Sequence, residues 1–186
     1  MRCVALGLLV LIASRLPAPA QETVASSAPV AAWPAELPAP DALHLFLPDR
    51  DWALVLDMRG FNVTHAAQSQ GGRASVALEG ADGFFMVTAF LEVLPDADGA
   101  AACGAAFRRR APREPFERSS VRTSERDGMF LHESTIARFG DQRLDQRNVN
   151  AYLDVGDTCI DVHLSKTLFE PKDQGRLDAL VGAIRI

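Results

Sequence analysis

NAYLDVGDTCIDVHLSK, residues 150–166, alternates apolar and polar side chains on both sides of Gly156-Asp157. This alternation around a glycine-containing pair is typical of a β-hairpin with those two residues in the turn. In that register Leu153 lies opposite Ile160, and one face of the hairpin is apolar. That apolar face consists of Ala151, Leu153, Val155, Thr158, Ile160, Val162 and Leu164.

The other face of the predicted hairpin is polar. It carries Asn150, Tyr152, Asp154, Cys159, Asp161 and His163. A histidine this close to an aspartate and a tyrosine can perform acid–base chemistry or hold a metal. We therefore treat Asn150, Tyr152, Asp161 and His163 as candidate ligand-binding residues. The alternative is a polar layer beneath a helix, satisfied by its own hydrogen bonds.

The rest of the domain, residues 43–186, is predicted to contain further strands. Residues 84–93 form a strongly apolar run, as expected of a central strand covered on both faces. Asp127-Gly128 is a favoured hairpin turn between two other strands. Six strands are predicted before the hairpin of residues 150–166: 52–56, 61–67, 75–79, 84–93, 117–125 and 129–139. Residues 140–147 are predicted to connect the last of these strands to that hairpin.

Two helices are predicted. The first runs from residue 97 to about residue 110 with Asp96 as its N-cap. The second runs from about residue 172 to residue 184, with Pro171 in its first turn. A sheet that is buried on both faces needs a layer of helices on each side. The predicted fold class is therefore α+β, an antiparallel-dominated β-sheet covered by a helix on each face (an α/β/α sandwich). The alternative is a closed β-barrel with a C-terminal helix.

The amino terminus has the pattern of an export signal. Arg2 precedes an apolar run, and Ala18-Pro19-Ala20 matches the small-x-small site of signal peptidase. We expect residues 1–20 to be a cleaved signal peptide, with an uncleaved membrane anchor as the alternative. Residues 21–42 are rich in Ala, Pro and Ser and predict a flexible linker. The expected location is periplasmic or secreted, without stable membrane insertion after cleavage.

The charge of the chain argues against nucleic acid as a partner. The net charge is −5, and removal of residues 1–20 would make it more negative because Arg2 and Arg15 are lost. An acidic protein repels the phosphate backbone of nucleic acids. One short basic cluster stands at the end of the first predicted helix: Arg108, Arg109, Arg110 and Arg113, with Arg118 just after it. These arginines are a candidate anion-binding site for a phosphate or an acidic partner. The alternative is a solvated helix end, where the helix dipole favours cations.

Two cysteines, Cys103 and Cys159, remain after signal cleavage. An oxidising compartment permits a disulfide. Cys103 lies on the apolar face of the first predicted helix, and Cys159 lies on the polar face of the hairpin. If that helix covers that face, the two sulfurs meet, and we expect a structural disulfide. The alternative is two independent buried thiols, since a free cysteine behaves as a small hydrophobe.

The order of elements resembles the PsbP/Mog1-like α/β/α sandwich. The resemblance covers residues 43–186: paired strands from near Trp52, a long apolar strand, a helix, antiparallel hairpins that include Tyr152 and His163-Leu164-Ser165, and a terminal helix. It implies a binding or assembly factor more than an enzyme. No ligand residue is transferred by it, because no motif of the sequence corresponds to one.

The motifs of common enzyme classes are missing from the sequence. It has no P-loop, no Gly-x-Ser-x-Gly, no His-Glu-x-x-His, no dinucleotide fingerprint and no zinc-type cysteine spacing. No cofactor or metal is therefore predicted. The preferred function is a non-catalytic envelope protein that binds another protein or a small ligand. The alternative is a small secreted hydrolase or metal-dependent enzyme centred on His163.

Overall fold

The computed structural model describes residues 41–69, 72–81, 83–111 and 117–186. The predicted signal peptide, Arg113 and nearly all of the predicted linker lie outside these ranges. Two helices and nine strands are present in the described part. Their bounds are β1 (Ala42–Leu45), β2 (Leu54–Asp57), β3 (Phe61–Ser69), β4 (Arg73–Gly80), β5 (Phe85–Val93), α1 (Ala100–Arg110), β6 (Ser119–Arg126), β7 (Met129–Phe139), β8 (Gln142–Val155), β9 (Thr158–Lys166) and α2 (Gln174–Ala183), the last preceded by a 3-10 turn at Pro171–Asp173.

Seven strands form one antiparallel sheet in the order β3-β4-β5-β9-β8-β7-β6. The hairpin β8–β9 has the predicted register, with Leu153 opposite Ile160 and Asn150 opposite His163. Gly156 adopts a positive φ of 68°, as a tight hairpin turn requires. The α+β fold class predicted from the sequence is therefore confirmed.

The main core lies on one face of this sheet. Alternate residues of the central strands, such as Val87, Ala89 and Val162, point into it and are buried. The small antiparallel pair β1–β2 and helix α2 cover this face, and Leu177 and Val181 of α2 belong to the same core. This is the apolar face that the hairpin alternation predicted.

Helix α1 packs on the opposite face of the sheet, mainly over β8, β9 and β7. The prediction that strand 84–93 is buried on both faces is therefore wrong. Met86 and Phe90 are 44% and 45% exposed, while Phe85 and Val87 on the other face are buried. An eleven-residue helix does not reach across seven strands, and so β5 has one covered face and one open face.

Two predicted boundaries are also corrected. Helix α1 begins three residues later than expected, after Gly99 at φ 86°, and Asp96 does not cap it. The Gly99 N–H donates instead to Oδ2 of Asp154 on β8, at 2.8 Å. Strand β8 begins at Gln142, so most of the expected connection 140–147 is strand. The first part of this strand was not predicted because its residues are mostly polar, and strands are recognised in a sequence by alternating apolar residues.

Among the described residues, no helix combines the length and the apolar character needed to cross a membrane.

Candidate functional site

Two neighbouring rows of side chains cross the sheet on the face that carries α1. In the first row Asn150 lies between His132 and His163, and His163 in turn pairs with Thr88. In the second row Tyr152 lies between Phe130 and Asp161, and Asp161 pairs with Phe90. Residues two apart on a strand point to the same face, so these rows form one continuous surface.

Helix α1 approaches this surface closely through Gly104. A Cβ atom at this position would lie 2.6 Å from Cδ2 of Tyr152, so only glycine permits the observed packing. One turn later, the Arg108 guanidinium lies over the rings of Phe130 and Tyr152, at 5.8 and 5.4 Å from their centroids. The Phe107 ring also stacks on Tyr152, with centroids 6.3 Å apart.

The disulfide Cys103–Cys159 joins α1 to β9 beside this surface. The two Cα atoms are 5.3 Å apart and both side chains are fully buried. The predicted pairing is confirmed, and the alternative of two free thiols is wrong. The bond holds the helix in place over the second row of side chains.

A groove of about 600 Å³ opens where α1 ends above the two rows. Phe90, Phe107 and Val121 form its apolar walls, and Arg108 and Arg118 lie among its polar walls. All four residues predicted as ligand-binding from the hairpin also line it: Asn150, Tyr152, Asp161 and His163. The structure thus brings these four side chains to one concave surface, and their role in binding stays a prediction.

A second groove of about 670 Å³ continues along the open sheet toward β3 and β4. Phe90, Phe107 and Asp161 line both grooves. At its rim Glu92 accepts from two arginines: Arg73 Nη2 lies 2.5 Å from Oε1, and Arg110 Nη1 lies 2.7 Å from the same oxygen.

Burial dominates the electrostatics of the second row. Burial raises the pKa of Asp161 to about 6, against opposing effects from the Asn150 hydrogen bond and the Arg108 charge. The Asn150 amide donates to Asp161 Oδ1 at 2.9 Å. Burial also raises the pKa of the Tyr152 hydroxyl to about 12, so it is a neutral group at physiological pH.

The two histidines of the first row have different surroundings. His163 Nε2 lies 3.1 Å from Oδ1 of Asn148. His132 is half-buried, and its burial together with the charges of Arg108 and Arg118 lowers its pKa. His132 lines the groove, whereas its neighbour Glu133 forms an ion pair with Arg147.

The predicted arginine cluster is divided by the structure. Arg108 faces the groove of about 600 Å³, whereas Arg110 faces the neighbouring groove and pairs with Glu92. Arg109 is exposed and lines neither groove. Successive residues of a helix point about 100° apart, so three consecutive arginines cannot face one ligand.

Several residues that line this groove were not predicted as site residues from the sequence: Thr88, Phe90, Val121 and His132. Their signal is the strand register, since Thr88 and Phe90 pair with His163 and Asp161 across β5 and β9. That pairing joins strands far apart in sequence, and no local pattern reveals it. Within the described ranges, no three side chains of His, Cys, Asp or Glu are placed to hold a metal ion.

Comparison with known proteins supports the fold. No protein-family model matches the sequence, and no curated protein matches it either. Among solved structures, the chain is similar to the solution structure of cyanobacterial PsbP (CyanoP) from Synechocystis sp. PCC 6803. The identity is 11%, the match covers 72% of this chain and 86% of that chain, and the TM-score is 0.50. At this identity the likeness concerns architecture alone, and the chain has a PsbP-like α+β fold.

Proposed function

We propose that this chain is a periplasmic or secreted, non-catalytic binding or assembly protein that holds its ligand on the open sheet face beside α1. The observation that carries this proposal is the exposure of Met86 and Phe90 on an otherwise well-packed central strand. Large apolar side chains exposed beside a groove are typical of binding surfaces. The leader-like residues 1–20 and the buried disulfide support an oxidising compartment outside the cytoplasm.

The polar rows favour binding over catalysis. The Asn150 amide donates to the Asp161 carboxyl and so joins the two rows, and the neighbouring Asn148 contacts the His163 ring. Such a layer presents fixed donors and acceptors to a ligand without an activated nucleophile. The alternative, a small hydrolase or metal-dependent enzyme centred on His163, draws on His163 and Asp161 lining the same groove.

Native mass spectrometry of the exported protein tests the proposal. We expect a bound species on the wild-type protein that is lost in Phe90→Asp and kept in Phe139→Asp. Phe139 is a matched control because it is 47% exposed, close to the 45% of Phe90, and lies outside both grooves. No bound species, or one that Phe90→Asp leaves unchanged, contradicts the proposed site. Hydrolysis of nitrophenyl esters that is lost in His163→Asn would favour the enzyme instead.

A further inference from the structure

The described residues that line the groove of about 600 Å³ include more arginines than carboxylates, although the protein as a whole is acidic. The chain has a net charge of −5. Yet the described residues that line the two adjoining grooves include four arginines, Arg73, Arg108, Arg110 and Arg118, and only two carboxylates, Glu92 and Asp161. Glu92 lies among Arg73 and Arg110 at the far rim. Among the described residues, the groove of about 600 Å³ therefore has two guanidinium groups, of Arg108 and Arg118, and one half-buried carboxyl, of Asp161.

Arg108 and Arg118 line the same groove although they come from different parts of the chain. Arg108 belongs to the last turn of α1, and Arg118 directly precedes β6. The charges of both arginines lower the pKa of His132. They also oppose the rise that burial causes in the pKa of the Tyr152 hydroxyl. The Arg118 Nη1 group donates to Ser134 Oγ at 2.9 Å, which holds this guanidinium beside the first row.

The walls next to this positive region are apolar. Phe90 is 45% exposed and Val121 is 54% exposed, and both line the same groove as the two arginines. Arginine donates paired hydrogen bonds to carboxylate, sulfonate and phosphate oxygens, and such charge-assisted bonds are stronger than neutral ones. An apolar wall adjoining a pair of arginines matches a ligand with an acidic end and an apolar body.

We propose that this groove binds a small organic anion, with its acidic group between Arg108 and Arg118 and its apolar body against Phe90 and Val121. This inference rests on the proposed binding function and names the chemical class of its ligand. Asn150 and His132 lie at the floor of the groove as further polar contacts. Asp161 has the one carboxyl among the described residues that line this groove, and the Asn150 amide donates a hydrogen bond to it.

A pair of fluorescent probes tests this assignment. Anilinonaphthalene sulfonate carries an acidic group on an aromatic body, and phenylnaphthylamine has the same body without the sulfonate. We expect the purified protein to bind the sulfonate saturably and at least tenfold more tightly than the neutral probe. Arg108→Gln and Arg118→Gln should each weaken sulfonate binding roughly tenfold, the loss expected for one charge-assisted hydrogen bond. Neither variant should change the affinity for phenylnaphthylamine.

Arg109→Gln is the matched control, because it removes the same charge from the same helical turn but Arg109 lines neither groove. It should bind both probes as the wild type does. Arg108 also packs on Tyr152, so its loss could unfold the protein. Thermal unfolding therefore checks that each variant is folded. If Arg108→Gln is unfolded, the result for Arg118→Gln decides whether the anion site exists.

Three results would overturn the assignment: no saturable sulfonate binding, equal affinity for the two probes, or equal weakening in Arg109→Gln. A bound species lost in Phe90→Asp by native mass spectrometry would still support the proposed function in each of these cases. The failure of the anion site is thus distinguishable from the failure of the binding surface.

Discussion

Gly104 and Tyr152 are packed so closely that a Cβ atom on the glycine would lie 2.6 Å from the tyrosine ring. The same Cβ would lie 3.0 Å from Nη1 of Arg108. This contact sets the height of α1 above the sheet, and with it the depth of the groove at the end of the helix. The candidate site thus depends on a residue that itself contributes no chemistry.

Gly104→Ala is expected to bring no gain in stability despite the better helix propensity of alanine. Propensity favours alanine by about 1 kcal/mol, but overpacking against Tyr152 costs about 1–3 kcal/mol. The free energy of unfolding in urea should therefore fall or stay level. Gly175→Ala in α2 is the control, because a Cβ there meets no atom within 4 Å and should stabilise the protein. An equal gain in stability from both substitutions would contradict the close packing of α1.

Removal of the disulfide by Cys103→Ala with Cys159→Ala is expected to lower the free energy of unfolding by about 4 kcal/mol on chain-entropy reasoning. The bond closes a loop with a sequence separation of 56 residues, and both cysteines are fully buried. Urea unfolding with and without a reductant measures the loss. The reductant should destabilise the wild-type protein and leave the double variant unchanged. A wild-type protein with two titratable thiols after unfolding without reductant would contradict the bond.

Asp161→Asn is expected to raise the melting temperature at about pH 7.5. Burial raises the pKa of Asp161 from 3.8 to about 6. The folded state therefore binds the proton more tightly than the unfolded state, and the ionised carboxylate destabilises the fold above about pH 6. This penalty is relieved as the pH falls through 6 toward 3.8. The expected rise is about 2–4 °C, and it should vanish near pH 4.

Asp157→Asn is the control for this pH dependence. The Arg50 hydrogen bond lowers the pKa of the Asp157 carboxyl, so its ionised form stabilises the fold at neutral pH. Thermal unfolding at about pH 7.5 should show no rise in melting temperature for Asp157→Asn. An Asp161→Asn variant that is no more stable than the wild type at this pH would indicate that the carboxylate is well solvated.

The exported protein is expected to begin at Gln21. The pattern Ala18-Pro19-Ala20 provides the small residues that signal peptidase requires. Intact-mass measurement of the protein from the envelope fraction and from the medium identifies its first residue. Exported protein that retains Met1 would contradict the predicted cleavage.

Generic duplex DNA is expected to bind weakly, if at all, at physiological salt. The net charge is −5, and the arginines of the last turn of α1 point in different directions, with Arg110 paired to Glu92. Fluorescence anisotropy over a range of salt concentrations provides the measurement. Tight binding with a steep salt dependence would contradict this expectation.

Local patterns in the sequence determined the hairpin β8–β9, its register and its two faces. Alternation and a Gly-Asp turn act over a few residues, and so Asn150 opposite His163 was predictable without the rest of the chain. The pairing of Cys103 with Cys159 was predictable for a related reason. Only two cysteines remain after the predicted cleavage, and a helix over the polar face brings them together.

The tertiary structure alone decided how much of the sheet α1 covers. The apolar run 84–93 suits a strand buried on both faces, but α1 lies over β7, β8 and β9 and leaves Met86 and Phe90 exposed. The position of α1 follows from long-range contacts: Gly104 against Tyr152, the disulfide, and the Asp154 carboxylate at the Gly99 N–H. Such contacts join residues about fifty positions apart, and no periodicity along the chain encodes which strands a helix leaves open.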